Sequence, residues 1–222
     1  MSVVIAVDGT AASGKGTLAK KLASHFGFAH LDSGALYRLT ALAVLTAKGD
    51  PRVEGDALHG AQSIDLSLAG DPAIRTDVVG QAASQVAAIP AVRAALFDFQ
   101  RNFLVHPPGG SPGAVMDGRD IGTVICPGAT AKLYVDARPQ LRANRRWREL
   151  QGMGILRDEA DLLQELMARD AADKARPVSP LRQAEDAALL DTSDLDIDAA
   201  FAAALALVSQ KVERALQDRH RG

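Results

Sequence analysis

The sequence predicts an α/β fold in which helices flank a parallel β-sheet core, and two observations carry this prediction. Short runs of β-branched and other apolar residues alternate with longer segments of helical periodicity, as in parallel sheets that are covered on both faces. A glycine-rich loop directly follows the first apolar run and opens a helix, which is the order of elements in a phosphate-binding loop.

Length, charge and cysteine content limit the class of protein. A chain of 222 residues suits one α/β domain with insertions. The net charge of −2 gives no reason to expect nucleic acid or a membrane surface as a partner. Cys126 is the only cysteine, so an intramolecular disulfide and a cysteine-based zinc site are excluded. No signal-like apolar run opens the chain, so we expect a cytoplasmic protein.

The first predicted elements follow one another closely. Val3–Val7 (VVIAV) is typical of a strand buried on both faces. A helix is predicted from about 14 to 26, and Gly27 is a suitable residue to end it. Phe28–Leu31 resumes as a strand, and a second helix is expected over 33–48.

Three more strands and four helical segments continue the alternation. The strands are predicted at Ala114–Met116, Ala131–Val135 and Ala187–Leu190. The helical segments are 76–105, 138–151, 158–175 and 197–218, with Asp196 as the N-cap of the last. One stretch, Ser63–Leu68 (SIDLSL), alternates polar and apolar residues and predicts a small antiparallel piece attached to the sheet.

The loop after the first strand has the spacing G-x-x-x-x-G-K, and Gly16 separates its lysine from Thr17. Small residues let backbone N–H groups converge on phosphate oxygens, and the start of the following helix adds positive potential. Lys15 is placed to reach the outer phosphates of ATP or a similar polyphosphate. The predicted ATP-binding residues are Gly9, Thr10, Ala11, Ala12, Ser13, Gly14, Lys15, Gly16 and Thr17.

Three classes of phosphate-loop protein compete at this point. A GTPase switch should carry N-K-x-D, but neither Asn102 nor Asn144 is followed by lysine. A motor-like ATPase should show an apolar run ending in paired acids, whereas Asp117 is followed by Gly118 and Arg119. A small-molecule kinase needs arginines around a second phosphate and over the transferring group. The chain offers both sets: Arg38, Arg93, Arg119, Arg169 and Arg176, and then Arg142, Arg145, Arg146 and Arg148 in an arginine-rich lid over about 140–158.

Five segments in order resemble bacterial cytidylate kinase, a nucleoside monophosphate kinase. They are GTAASGKGT, DSGALYR, IRTDVVGQAASQVAAIPAVR, VMDGRDIGTVICPGATAKLYVDA and ARDAADKAR. The resemblance implies a P-loop kinase that transfers the γ-phosphate of ATP to CMP or dCMP. It also implies Mg²⁺ carried with ATP, with no separate protein metal site.

The resemblance also implies site residues. The expected catalytic residues are Lys15, Arg119, Arg145, Arg146 and Arg176. The expected CMP-binding residues are Ser33, Tyr37, Arg38, Ser84, Arg93, Arg119, Asp120, Arg169, Asp173 and Arg176. Among them, Ser84, Arg93 and Asp120 are expected to contact the cytosine edge.

Two departures from the family pattern concern the acceptor region. Many relatives carry R-D-x-R-D, but Ala172 stands in the place of the middle arginine. The antiparallel insert of the family is reduced to about 60–75, within a monophosphate-binding region over about 32–110 of a single domain spanning 1–222. A kinase for UMP or AMP, or an ATP-dependent switch module, remains an alternative, and we expect a monomer.

Overall fold

The computed structural model describes residues 2–221, which form two compact units. One unit consists of the described residues up to Leu31 together with those from His106 onward. The other unit is Asp32–Val105. The five-stranded sheet belongs to the first unit, and four helices make up most of the second.

The sheet has the strand order β2-β3-β1-β4-β5, and the pairs β1–β3, β1–β4 and β4–β5 are parallel. Its strands are β1 (Val3–Gly9), β2 (Ala29–Asp32), β3 (Gly113–Gly118), β4 (Ala131–Asp136) and β5 (Ala188–Asp191). The predicted α/β fold with a parallel sheet is therefore confirmed. The central position of β1 puts the loop that follows it at the carboxyl edge of the sheet, where open α/β folds bind ligands.

Eight helices lie along the described chain. They are α1 (Lys15–Phe26), α2 (Ser33–Thr46), α3 (Glu54–Gln62), α4 (Asp77–Val86), α5 (Pro90–Val105), α6 (Pro139–Gly152), α7 (Glu159–Ala175) and α8 (Ile197–Arg221). Two predicted helix ends are confirmed by their caps. Gly27 ends α1 in the left-handed conformation with φ 66°, and the Asp196 carboxylate accepts a hydrogen bond from Ala199 N at the start of α8.

The main core of the first unit forms where α1 and α8 pack on the sheet. Ala204, Val208 and Val212 recur at helical spacing on α8 and are fully buried. They share one apolar cluster with Leu22 of α1 and Ile5 of β1. Residues of both β1 and α1 lie in this cluster, so the loop between these two elements begins and ends on fixed backbone.

The second unit corrects two predictions. The segment 76–105 is not one helix, because α4 ends at Val86 and α5 begins at Pro90, whose ring nitrogen has no N–H to continue the earlier helix. Ser63–Leu68 does not pair as a strand either, and the antiparallel prediction was wrong. In its place, the Asp65 and Asp71 carboxylates accept hydrogen bonds from backbone N–H groups two residues on and start two short 3₁₀ turns.

We expect Gly113→Ala to destabilise the protein, because Gly113 lies where β3 touches β1. A Cβ atom at this position would lie 2.4 Å from the carbonyl oxygen of Val3 and 2.8 Å from the ring of Phe28. Such overpacking costs about 1–3 kcal/mol of unfolding free energy. Urea denaturation measures the change.

Gly80→Ala in α4 is the matched control, since a Cβ there meets nothing within 4 Å. Alanine in a helix interior is favoured over glycine by about 0.5–1 kcal/mol, so this variant should be slightly stabilised. Equal stability of the two alanine variants would contradict the close approach at Gly113.

Candidate active site

The phosphate loop occupies Gly9–Thr17, between β1 and the first turn of α1. At Gly9 a Cβ atom would lie 2.0 Å from the carbonyl oxygen of Val135 in β4, so a side chain does not fit. Gly14 caps α1 with a φ of 89°, a backbone conformation that favours glycine. Both glycines of the sequence motif are therefore required by the geometry of the loop.

Side chains from the sheet edge hold this loop from outside. Thr10 Oγ1 donates to Asp136 Oδ1 at 2.6 Å, at the end of β4. Thr192, directly after β5, donates from its hydroxyl to the carbonyl oxygen of Ser13 at 2.9 Å. The hydroxyl of Ser13 donates in turn to Thr10 O at 3.0 Å. These protein contacts fix the shape of the loop.

Lys15 is the first residue of α1, and its Nζ lies 3.4 Å from the carbonyl oxygen of Thr10 in the same loop. Its ammonium group therefore folds back along the loop. Since a helix N-terminus favours anions, the lysine and the first turn of α1 add positive potential at the same place. This arrangement suits a polyphosphate.

A second polar cluster of the first unit joins three of the predicted residues. Arg119 Nε donates to Asp173 Oδ2 at 2.8 Å, and Arg176 donates to the other oxygen of the same carboxylate. Burial alone raises the pKa of Asp173, but the charges of Arg119, Arg176 and Arg169 outweigh burial and hold that pKa below its usual value. Asp173 is therefore an anion that keeps two guanidinium groups oriented.

Asp120 lies beside this cluster, at the start of a π-helical turn over Ile121–Ile125. The turn is held by the carboxylate of Asp8 in β1, which accepts from Ile121 N at 2.8 Å and Gly122 N at 2.7 Å. Burial raises the pKa of Asp8 to about 7, although these two hydrogen bonds oppose the rise. Asp8 thus joins the strand before the phosphate loop to the segment that carries Arg119 and Asp120.

Asp117, at the end of β3, lies close to the phosphate loop. Its carboxylate Oδ2 is 3.5 Å from the position that a Cβ atom on Gly16 would occupy. The other oxygen lies 2.9 Å from His30 Nε2 of β2. A carboxylate is therefore held beside Gly16, the residue between Lys15 and Thr17.

The two lid arginines predicted as catalytic contact protein groups. Arg145 donates to both the hydroxyl and the carbonyl oxygen of Thr192, at 3.0 Å and 2.5 Å. Arg146 donates to Glu149 at 3.0 Å, one turn along the same helix. In this structure Arg145 is thus linked to the phosphate loop through Thr192.

The remaining predicted residues belong to the second unit. Tyr37 and Arg93 are brought together, with the guanidinium carbon 5.4 Å from the ring centroid, and Arg93 also donates to Ala87 O. Arg38 pairs with Asp32 at 2.5 Å. Ser33 is buried at the start of α2, and the hydroxyl of Ser84 donates to Gly80 O.

Sequence reasoning did not assign Asp8 or Asp117 to the site. Both are acidic residues near the ends of strands that are otherwise apolar, and both are buried. Burying a carboxylate without a partner is energetically costly. An aspartate within an apolar strand therefore predicts that the folded protein supplies hydrogen bonds to its carboxylate. What the sequence does not contain is their partners, which lie up to 114 residues away.

Residues 2–221 lack two further features. No group of three or more His, Cys, Asp or Glu side chains is arranged to hold a metal ion by itself. No helix is long and apolar enough to cross a membrane.

Comparisons with known proteins agree with this geometry. The family model described as cytidylate kinase matches residues 5–210. The chain is 50% identical over 208 residues to the cytidylate kinase of Afipia carboxidovorans, covering 94% of this chain and 98% of that protein. It is 49% identical to the cytidylate kinase of Rhodospirillum rubrum, covering 96% and 100% of the two chains.

One solved structure supports the fold alone. An uncharacterized protein from Eubacterium ventriosum superposes with a TM-score of 0.57 at 16% identity, covering 95% of this chain and 99% of that one. At this identity the similarity concerns the arrangement of helices and strands.

The raised pKa of Asp8 predicts a specific pH dependence of stability. Between the ordinary value of 3.8 and about 7, the folded protein binds this proton more tightly than the unfolded chain. The resulting stabilisation is complete below about pH 4 and is lost as the pH rises to about 7. We therefore expect the wild-type minus Asp8→Asn difference in unfolding free energy to fall over that range and then level off.

Urea unfolding at several pH values measures this difference, and parallel profiles for the two proteins would show that Asp8 titrates normally. Asp198→Asn is the control. A hydrogen bond from Lys21 lowers the pKa of Asp198, so its titration lies below the ordinary value of 3.8. The control should leave the slope between about pH 5 and pH 8 unchanged.

Proposed function

The chain belongs to the cytidylate kinase family, and from that premise we propose that it transfers the γ-phosphate of ATP to CMP or dCMP. The products are ADP and CDP or dCDP. The observation that supports this proposal is that the first unit holds positively charged side chains at two separate places. One is the phosphate loop with Lys15, and the other is the cluster in which Asp173 orients Arg119 and Arg176.

ATP is proposed to bind through the phosphate loop. Backbone N–H groups of the loop and the first turn of α1 contact the phosphates, and Lys15 reaches the outer ones. The family implies Mg²⁺ with ATP. Mg²⁺ is commonly held by one or two carboxylates together with substrate phosphates, and Asp117 beside Gly16 fits that donor set. When bound, Mg²⁺ neutralises phosphate charge.

We propose that the CMP phosphate binds to Arg119 and Arg176, displacing part of their contact with Asp173. Arginine forks match the geometry of phosphate oxygens and donate two hydrogen bonds at once. Arg169 and Asp173 then contact the nucleotide, and Asp173 suits a sugar hydroxyl. Predicted contacts from the second unit are Ser33, Tyr37, Arg38, Ser84 and Arg93.

Asp120 is proposed to select cytosine together with Ser84 and Arg93. Cytosine presents an amino donor at N4, which a carboxylate accepts, whereas uracil presents an acceptor at the same position. Asp120 is buried, so an unmatched base edge would leave polar groups unpaired away from water. Sites of this kind reject the wrong ligand strongly.

The chemistry needs positioning and charge neutralisation more than a general base. The phosphate monoester oxygen of CMP is already a competent nucleophile, and arginines stabilise the charge on the transferring group. We propose this role for Arg119 and Arg176, and for Arg145 and Arg146 of the predicted lid. Lid closure would exclude water and limit hydrolysis of ATP.

We further propose that the enzyme works in the cytoplasm as a monomer, with nucleotides as its ligands. The two nucleotide substrates are small water-soluble molecules of that compartment. The net charge of −2 supports small anions bound by local arginine clusters over a nucleic acid bound by a basic surface.

A single assay tests the proposed function. ADP production should be fastest with CMP or dCMP, and much slower with UMP, AMP, GMP or no acceptor. Lys15→Ala should abolish detectable turnover while circular dichroism shows an intact fold, because the lysine contacts phosphates and not the core. Hydrolysis that does not depend on an acceptor would favour the switch module, and a preference for UMP or AMP would favour another monophosphate kinase.

Arg119→Ala should lower kcat/KM for CMP by about 10³, as for other arginines that stabilise a transferring phosphoryl group. Steady-state kinetics with CMP as the varied substrate measures the loss. Arg52→Ala is the matched control, because Arg52 is an exposed arginine paired with Asp50 and is not among the predicted nucleotide contacts. A loss of less than about tenfold in kcat/KM for Arg119→Ala would contradict a role in stabilising the transferring group. Arg119 would then serve only in binding or in the structure.

A further inference from the structure

Both backbone groups of Ala11, the third residue of the phosphate loop, are held by side chains of α6 and α7. Ala11 N donates to Asp170 Oδ1 of α7 at 3.2 Å. The carbonyl oxygen of Ala11 accepts from Arg142 of α6 at 2.9 Å. Two helices that are distant from the loop in sequence therefore hold the peptide units on both sides of Ala11.

Arg142 and Asp170 also bind each other. Their guanidinium and carboxylate groups lie 2.6 Å apart, and the residues are only 3% and 6% exposed. Arg142 Nε donates to Ala137 O at 2.8 Å, which satisfies a further buried donor. Since a buried ion pair is often no more stabilising than apolar residues of the same size, stability alone gives little reason for this pair.

The residue that follows Ala11 has a strained backbone. Ala12 has a φ of 57°, in the left-handed region that residues with a Cβ atom rarely adopt. Such a conformation persists only where the surrounding structure enforces it, and it is frequent at ligand-binding sites. The carbonyl group of Ala11, which Arg142 holds, lies directly before this strained position.

We propose that Arg142 and Asp170 are positioning residues for ATP. The pair holds the backbone N–H and C=O groups of Ala11, so that Ala12 stays in the left-handed conformation that shapes the phosphate loop. This inference rests on the proposed function, since it takes ATP as the ligand of the loop. It assigns Arg142, which the sequence placed among the lid arginines, to the loop and not to the transferring phosphate.

A second contact of α6 also supports the proposal that this helix positions the phosphate loop. Arg145, almost one turn after Arg142, donates two hydrogen bonds to Thr192, and Thr192 donates to Ser13 O in the loop. The helix that begins the predicted lid thus reaches the phosphate loop at two places. The shape of the ATP site is therefore coupled to the position of α6.

The test replaces both charges together, as Arg142→Met with Asp170→Leu. Because neither charge is left buried without its partner, this double variant should fold, with a thermal midpoint lowered only by the lost hydrogen bonds to Ala11 and Ala137. It lacks the contacts to Ala11, so the loop spends less time in its binding-competent shape. If that fraction falls to about one tenth, the Kd for ATP rises about tenfold.

Isothermal titration calorimetry with ATP measures the Kd, and steady-state kinetics measures KM for ATP and for CMP. We expect the ATP constants to rise about tenfold and KM for CMP to change by less than about threefold. Arg214→Met is the matched control, since Arg214 is an exposed arginine on α8 of the same unit. A folded double variant that binds ATP as tightly as the control overturns the proposal, as does an equal loss for both substrates.

Ala12→Gly tests the link to backbone strain. Glycine adopts a positive φ without a side-chain penalty, so the loop then depends less on Arg142 and Asp170. The double replacement should weaken ATP binding less in the Ala12→Gly background than beside alanine, and equal losses in both backgrounds overturn the proposed link. If the wild type binds ATP but phosphorylates no monophosphate, the proposed function fails while calorimetry still decides this inference.

Discussion

The phosphate loop is subject to one constraint on which the rest of the site depends. An anion-binding loop keeps backbone N–H groups available for its ligand, so it cannot stabilise its own shape through those groups. Its shape must come from outside. Here it comes from the close approach of Gly9 to β4, from the hydroxyls of Thr10 and Thr192, and from the ion pair at Ala11. The sheet edge and the helices α6 and α7 therefore support the loop.

Much of the fold was predictable because its signals are local. The apolar run of β1, the glycines of the loop and Gly27 each act within a few residues, and the structure confirms the elements that they predict. The stretch Ser63–Leu68 failed for the opposite reason. Its alternation was correct as a pattern, but no neighbouring strand pairs with it, and the aspartates at 65 and 71 offer nearer partners for the backbone.

The candidate site was predictable by residue type and less so by partner. The sequence shows that arginines cluster, but it does not show that Arg142 and Arg145 bind backbone groups around the loop while Arg119 and Arg176 share a carboxylate. Most of these differences arise from contacts between segments far apart in sequence, which no local pattern contains, whereas the pair of Arg176 and Asp173 is local. The same limit applies to Asp8. Its partners, the backbone N–H groups of Ile121 and Gly122, lie in the segment between β3 and β4.

The carboxylate of Asp173 has a consequence for selectivity. It already satisfies two guanidinium groups with a single negative charge, so it acts as an internal competitor for any incoming anion. A ligand displaces such a competitor only by offering more charge and more acceptor oxygens. A phosphate monoester does so near neutral pH, because its second pKa is about 6. In the proposed CMP site, singly charged anions and unphosphorylated nucleosides would not do so, and the cluster would then select acceptors by charge before the base is contacted.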